Sequence, residues 1–232
     1  MKVARQVLLM SALLLGAAIA GSPARAADII SLPGNTTIQA PVTSYFGLRF
    51  KQVVRQGYDV SCGAAALATL LKYYYGMQVS EKEIIEQIFS KSTDDQKKKI
   101  NAYGFSMLEL KHFGESLGFV AGGFKLDTAE KLAKLKVPVL TLITVRGYKH
   151  FVVLKGLYQG QVYIADPAFG NRSRPLDRFQ KEWDGVILVM VSDKIAGRND
   201  FSADGSLSAP AQGVLPLIDK FTPAITRAPT EF

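Results

Sequence analysis

The hydrophobic period changes once along this chain, and that change limits the folds open to it. Up to Gly118 the apolar residues recur at three- and four-residue spacing, whereas after Pro138 they gather into short runs rich in Val, Ile, Leu, Tyr and Phe. In the first part Leu67, Leu70, Leu71 and Tyr74 share one stripe, Ala64, Ala65, Ala66 and Ala68 are strong helix formers, and Gly76 closes the run. Ser80 with Glu83, and Ser106 with Glu109, are capping boxes that open two more helices. The first carries Ile84, Ile85 and Ile88; the second carries Leu110, Phe113 and Leu117 and stops at Gly118. Residues 90–102 between them are polar and read as a mobile connection, and residues 127–136 as a short helix. Residues 139–145, 150–157, 161–166 and 186–191 are bounded by Gly, Pro or Asp and read as strands of an antiparallel sheet. Helices first and strands second, without regular alternation, predict an α+β fold with N-terminal helices packed on a C-terminal antiparallel sheet.

The two ends read differently. Lys2 and Arg5 precede an almost unbroken apolar run over residues 7–20, and Ala24-Arg25-Ala26 places small residues where a signal peptidase reads them. This predicts a signal peptide over 1–26, cleavage after Ala26 and a periplasmic location, with no membrane span in the mature chain, because no later segment approaches the roughly 20 apolar residues needed for one. Removing Lys2, Arg5 and Arg25 takes the formal charge from +8 to +5. The densest basic cluster, Lys97-Lys98-Lys99, lacks interleaved aromatic or Arg residues and reads as a solvated face, which sets nucleic acid aside. Residues 27–54 read as loop around Pro33, Gly34 and Asn35, with a short strand or edge segment over 45–50. The domain is expected over 27–192. Residues 193–232, rich in Ala, Ser, Gly and Pro, have the composition of a disordered tail or belt.

Cys62 is the only cysteine, and it opens the first helix behind Ser61, a plausible N-cap. An exported protein meets an oxidising compartment, where cysteines usually pair. By itself a lone cysteine is more often an inert core residue than a nucleophile. The first turn of a helix, however, presents unpaired N–H groups and the positive end of the dipole, which favour a thiolate. Of the two histidines, His112 lies mid-helix beside Phe113, while His150 begins the apolar run Phe151-Val152-Val153-Leu154 at the end of a strand. If Tyr158, Gln159 and Gly160 form a three-residue loop, residue 157 pairs with 161, Val152 faces Asp166, and His150 lies diagonal to Asp166 on one face. A two-residue turn at Gln159-Gly160 would put them on opposite faces. Cys62, His150 and Asp166 could then act as nucleophile, base and orienting group. The Cys62 N–H and the Gln56 side-chain amide are candidate donors to an oxyanion. One cysteine and two distant histidines offer no metal-ligand spacing, so no metal and no cofactor is expected.

Gln56 six residues before Cys62, the run Cys62-Gly63-Ala64-Ala65-Ala66-Leu67-Ala68, the close at Tyr74-Tyr75-Gly76, His150-Phe151-Val152-Val153, and Asp166-Pro167 with Gly170 nearby together resemble the bacteriocin-processing peptidases over residues 52–191. These are papain-like cysteine proteases that cut after a double-glycine leader, often as the N-terminal domain of an export transporter. The resemblance implies a papain-like fold with Cys62 as nucleophile, His150 as general base, Asp166 as orienting group and Gln56 as oxyanion donor. Two departures stand out: the family usually carries an acidic residue before the cysteine where this chain has Ser61, and no G-x-x-x-x-G-K-[ST] nucleotide loop is present. With its export signal, the chain most resembles the branch encoded with a functional-amyloid secretion system, which implies a polypeptide substrate and amyloid-export components as partners. The expectation is thus an exported cysteine endopeptidase cutting after small residues such as Gly-Gly. The competing expectation is a non-catalytic peptide-binding or chaperone module for an exported client.

Overall fold

The computed structural model describes residues 27–32, 36–41 and 44–201; the signal segment assigned to residues 1–26 and the chain beyond Phe201 lie outside the described residues. Two units are present. The first is an antiparallel hairpin of β1 (Ala27–Leu32) and β2 (Thr36–Pro41), paired from Ala27 with Pro41 to Leu32 with Thr36. Both strands fall in the stretch whose composition predicts loop.

The second unit begins with a short helix α1 (Tyr45–Arg49) where a strand was expected. Helix α2 (Cys62–Thr69) continues through a π-helical turn (Leu70–Tyr74), and Gly76 beyond it adopts φ +70°. Residues Gly63 to Leu71 are all buried, so this helix is wrapped on every side rather than laid on a surface by one stripe. Helices α3 (Glu81–Lys91) and α5 (Met107–Ser116) open with the two capping boxes read from the sequence. Residues 90–102 are not a loose connection. Most of them belong to α4 (Asp94–Tyr103), opened by a third capping box, Thr93 with Gln96, and anchored by buried Ile100. Lys97 and Lys98 lie on this helix and pair with Asp94 at 3.6 Å and Asp95 at 3.7 Å, as a solvated face does.

Strands β3 (Val120–Lys125), β4 (Val139–Val145), β5 (Tyr148–Tyr158), β6 (Gln161–Asp166), β7 (Gly170–Pro175) and β8 (Trp183–Val191) form one sheet in the order β3-β8-β4-β5-β6-β7, antiparallel throughout. The short helix expected over 127–136 is a 3-10 helix (Ala129–Lys134), and α6 (Leu176–Glu182) connects β7 to β8. The core lies between α2 and the sheet, with β5 packed along the helix. Fully buried Leu67, Leu70 and Leu71 meet an interior that includes Val152, Val153 and Leu154. Burying each of these side chains stabilises the fold by roughly 1.5–3 kcal/mol.

The β5–β6 hairpin reaches the expected register by a different route. Tyr158 pairs with Gln161, so the turn has two residues, and both Gln159 (φ 48°) and Gly160 (φ 72°) have positive φ, as a type I′ turn requires. That turn alone would set His150 and Asp166 on opposite faces. A bulge between Leu154 and Gly156 inserts Lys155 as an extra residue, after which Leu154 pairs with Ile164 and Val153 with Ala165. The extra residue restores the face that a three-residue loop would have given.

The packed chain continues past β8. Residues 199–201 form a 3-10 turn, Phe201 is fully buried with its ring 6.3 Å from that of Tyr74, and Lys155 Nζ lies 4.6 Å from the Phe201 ring centroid. The Arg198 N–H donates to the Tyr74 carbonyl at 2.8 Å, so this C-terminal segment is seated on the end of the Cys62 helix.

Candidate active site

Cys62 is the first residue of α2 and half-buried. The backbone approaches β5 closely here: a Cβ on Gly63 would lie 3.1 Å from the Phe151 ring and 3.2 Å from Leu110 and Phe105, so the small residue after Cys62 lets the helix start sit against the strand. The consequence is a contact across the helix–sheet boundary, in which the Phe151 backbone N–H donates to Cys62 Sγ at 3.5 Å. Phe151 is bonded directly to His150, so the thiol rests against the strand at the residue adjoining the imidazole. Burial pushes the Cys62 thiol above its ordinary value, with the Asp166 charge adding to the rise, while the N–H groups of Phe151 and Gly63 oppose it. The helix-start amides favour the thiolate in the direction the sequence implies, but burial outweighs them.

Asp166 ends β6 and is fully buried. Its Oδ1 accepts the N–H groups of Ala168 at 2.9 Å and Phe169 at 3.1 Å, an Asx turn closing the loop into β7. Its Oδ2 meets two nitrogen groups of different kinds: the His150 imidazole, with Nε2 3.2 Å away, and the positively charged Arg172 guanidinium. The imidazole approach is oblique, an ion-pair distance without the alignment of a full hydrogen bond. Burial alone would raise the Asp166 carboxyl, but the nearby His150, the Arg172 charge and the Ala168 N–H together hold it below the usual carboxylate range. Arg172, on the edge strand β7, also lies 4.9 Å from the Phe169 ring centroid. Nothing in the sequence singled out Arg172, since the strand that delivers it, GNRSRP, has no apolar pattern.

Gln56 lies in the loop before α2, half-buried, and its backbone N–H donates to the Pro167 carbonyl at 3.1 Å. That bond ties Gln56 to the residue after Asp166, so the loop bearing the proposed oxyanion donor is fastened to the loop bearing the acid. Ser61 occupies the N-cap position of α2 without capping it; its hydroxyl lies 2.6 Å from both the Tyr58 carbonyl and the Glu81 carboxylate. A carboxylate therefore reaches the residue before Cys62 through space, from α3. His112 is exposed on α5, away from this set. No group of three or more His, Cys, Asp or Glu side chains suited to a metal is found among the described residues.

The peptidase C39 family model matches residues 50–195, which include all four of these residues. The chain belongs to the peptidase C39 family. Two relatives, both named probable functional amyloid protease FapD, are 38% identical over 161 residues in Pseudomonas aeruginosa, covering 69% of this chain and 70% of the relative, and 37% identical over 189 residues in Pseudomonas fluorescens, covering 82% and 80%. The lactococcin-G-processing and transport ATP-binding protein LagD of Lactococcus lactis is 31% identical over 140 residues, 60% of this chain but 18% of its own length. Among solved structures, the peptidase domain of Streptococcus ComA, a bi-functional ABC transporter, matches with a TM-score of 0.50 and 25% identity, covering 60% of this chain and 97% of that domain. Membership of C39 makes this a cysteine peptidase scaffold with the papain-like arrangement of helices on an antiparallel sheet that the sequence predicted. No helix among the described residues is long and apolar enough to cross a membrane.

Proposed function

We propose that this protein is an exported cysteine endopeptidase in which Cys62, His150 and Asp166 act as nucleophile, general base and orienting group, with Gln56 and the Cys62 N–H as oxyanion donors. The observation that supports the reading is the Phe151 N–H to Sγ contact at 3.5 Å, which brings the thiol against the residue that follows His150 in the chain, while His150 Nε2 lies 3.2 Å from a buried carboxylate. In this mechanism His150 takes the Cys62 proton, the thiolate attacks the scissile carbonyl, and the carbonyl oxygen takes the negative charge toward the Cys62 N–H and the Gln56 amide. The imidazolium then protonates the leaving amine, and water activated by the same imidazole hydrolyses the thioester. As the first residue of α2, Cys62 has no preceding helical carbonyl to accept its N–H, which suits it to that role. The raised thiol explains why a base is required: without His150 little thiolate forms near neutral pH.

The proposed substrate class draws support from the names of relatives. The names of FapD and LagD connect related chains with functional amyloid and with lactococcin processing, and the signal-like residues 1–26 support export to the periplasm. The proposed substrates are exported polypeptides cut after a small pair such as Gly-Gly, with amyloid-export components as partners. The test is Cys62→Ala and His150→Ala in the native host, with mass spectrometry of periplasmic and secreted peptides. Loss of a defined cleavage product in both variants supports the reading. Unchanged processing in both, or client capture that persists without any cleavage by the wild type, overturns it in favour of a binding module.

A further inference from the structure

Glu81 is the first residue of α3, where a carboxylate is favoured by the helix dipole, yet it is only 7% exposed and turned away from solvent. Its carboxylate has three contacts, all with the loop before α2. Oε2 accepts the Gly57 N–H at 2.9 Å, Oε1 receives the same N–H at 3.2 Å, and Oε1 lies 2.6 Å from Ser61 Oγ. Gly57 follows Gln56 directly, and Ser61 precedes Cys62 directly. One side chain therefore holds both ends of the loop that separates the proposed oxyanion donor from the nucleophile. The residues between, Tyr58, Asp59 and Val60, are exposed, and Val60 has φ 54°, a left-handed conformation costly for a β-branched residue. A loop that is largely solvated and strained is kept in register by an anchor at its two ends.

We infer that Glu81 is a positioning residue of this peptidase: it fixes the distance between Gln56 and Cys62, and so sets the oxyanion site, without touching substrate. The inference rests on the peptidase reading above and adds the residue that assembles its donor pair. Charge-assisted hydrogen bonds such as these are the strong ones, and the Gly57 N–H is held by both carboxylate oxygens, which fixes direction as well as distance. The second fastening of the same loop is the Gln56 N–H, which donates to the Pro167 carbonyl at 3.1 Å.

The consequence separates two reactions of the same sulfur. Peptide cleavage develops an oxyanion and depends on the donor pair; alkylation of Cys62 by iodoacetamide is a displacement at carbon with no oxyanion and does not. The experiment compares wild type with Glu81→Ala, Glu81→Gln and Ser61→Ala in the full chain, scoring kcat and KM on a peptide substrate per titrated thiol, and the iodoacetamide rate of Cys62. Misplacing one donor costs on the order of 10²-fold in kcat. Glu81→Ala is expected to lose about that factor in kcat with KM within about threefold and an alkylation rate close to wild type. Glu81→Gln, whose carbonyl can still accept from Gly57 while its amide donates to Ser61 Oγ, should recover most of the loss, and Ser61→Ala, which cuts one arm, should fall between. Cleavage at the wild-type rate in Glu81→Ala overturns the inference and leaves the peptidase reading standing. So does a parallel fall of cleavage and alkylation in Glu81→Ala and Glu81→Gln alike, which would make Glu81 a general support of the helix start. A wild-type protein whose Cys62 alkylates but cleaves nothing overturns the peptidase reading and the inference with it.

Discussion

Replacing Arg172 with Met tests the electrostatic logic of the site through stability rather than activity. Asp166 is fully buried; its Oδ1 keeps the Ala168 and Phe169 N–H groups at 2.9 and 3.1 Å in the variant, but its Oδ2 keeps only the obliquely placed His150 at 3.2 Å. Breaking a buried ion pair from one side costs about 3–5 kcal/mol, and the surviving amide donors offset part of it, so the expected loss is about 2–4 kcal/mol at pH 7. A further loss of about 0.5–1 kcal/mol comes from the guanidinium stacked on Phe169, and that part does not depend on pH. The pH sign follows from the direction of the Asp166 shift. Its carboxyl is held below the usual range in the folded protein, so its contribution is present above the unfolded value of about 4 and is lost as pH falls through the folded value. Urea unfolding of wild type and Arg172→Met at pH 7 and at about pH 3 reads both quantities. The gap should be wide at pH 7 and narrow in acid toward the stacking contribution alone. A gap under about 0.5 kcal/mol at pH 7, or one that does not shrink in acid, would falsify the assignment of Arg172 as the counter-charge of Asp166.

Three further outcomes are expected. Because burial raises the Cys62 thiol, wild-type alkylation by iodoacetamide should quicken as pH rises, and His150→Ala should slow it at least about 10-fold at pH 7 while converging with wild type in alkali; equal rates at every pH would exclude His150 as the base. Asp166→Asn removes the charge beside His150 and should lower kcat by about 10²–10⁴-fold with the fold retained, checked on the same peptide substrate with circular dichroism as control. Phe201→Ala empties a fully buried site against Tyr74 and Lys155 and should cost about 3–5 kcal/mol in urea unfolding; a loss below about 1 kcal/mol would mean that the C-terminal segment is not seated as described.

The parts of this fold that local chemistry dictates were legible in the sequence. Ser80 with Glu83 and Ser106 with Glu109 mark helix starts because the cap and its reciprocal partner lie three residues apart, and both boxes are formed. Thr93 with Gln96 uses the same device and was passed over, since the lysine-rich residues after it look like a solvated connection and only Ile100 betrays a buried side. Strand β3 contains Gly122-Gly123, and β7 is polar throughout, so neither shows the apolar alternation by which strands are recognised; both owe their state to pairing with β8 and β6. The candidates Cys62, His150, Asp166 and Gln56 could be proposed from the sequence because the proposal rests on residue type and spacing. Arg172 and Glu81 gave no signal because their contacts come from tertiary burial: one sits on a strand without apolar pattern, and the other reads as an ordinary acidic residue in a first helical turn. The His150–Asp166 face was predicted through a three-residue loop that does not exist, and the Lys155 bulge made the prediction right for another reason.

That bulge couples two edits that would otherwise look independent. Deleting Lys155 would rotate the outer half of β5 by one side-chain step and swing His150 away from Asp166, although Lys155 is five residues from the imidazole. Adding one residue to the Gln159-Gly160 turn would do the same from the other end of the hairpin. Made together, the two changes cancel, so this hairpin can exchange its turn length only in step with its bulge. Anyone grafting the site onto another sheet must carry the parity of the whole hairpin, not just the residues that face the thiol.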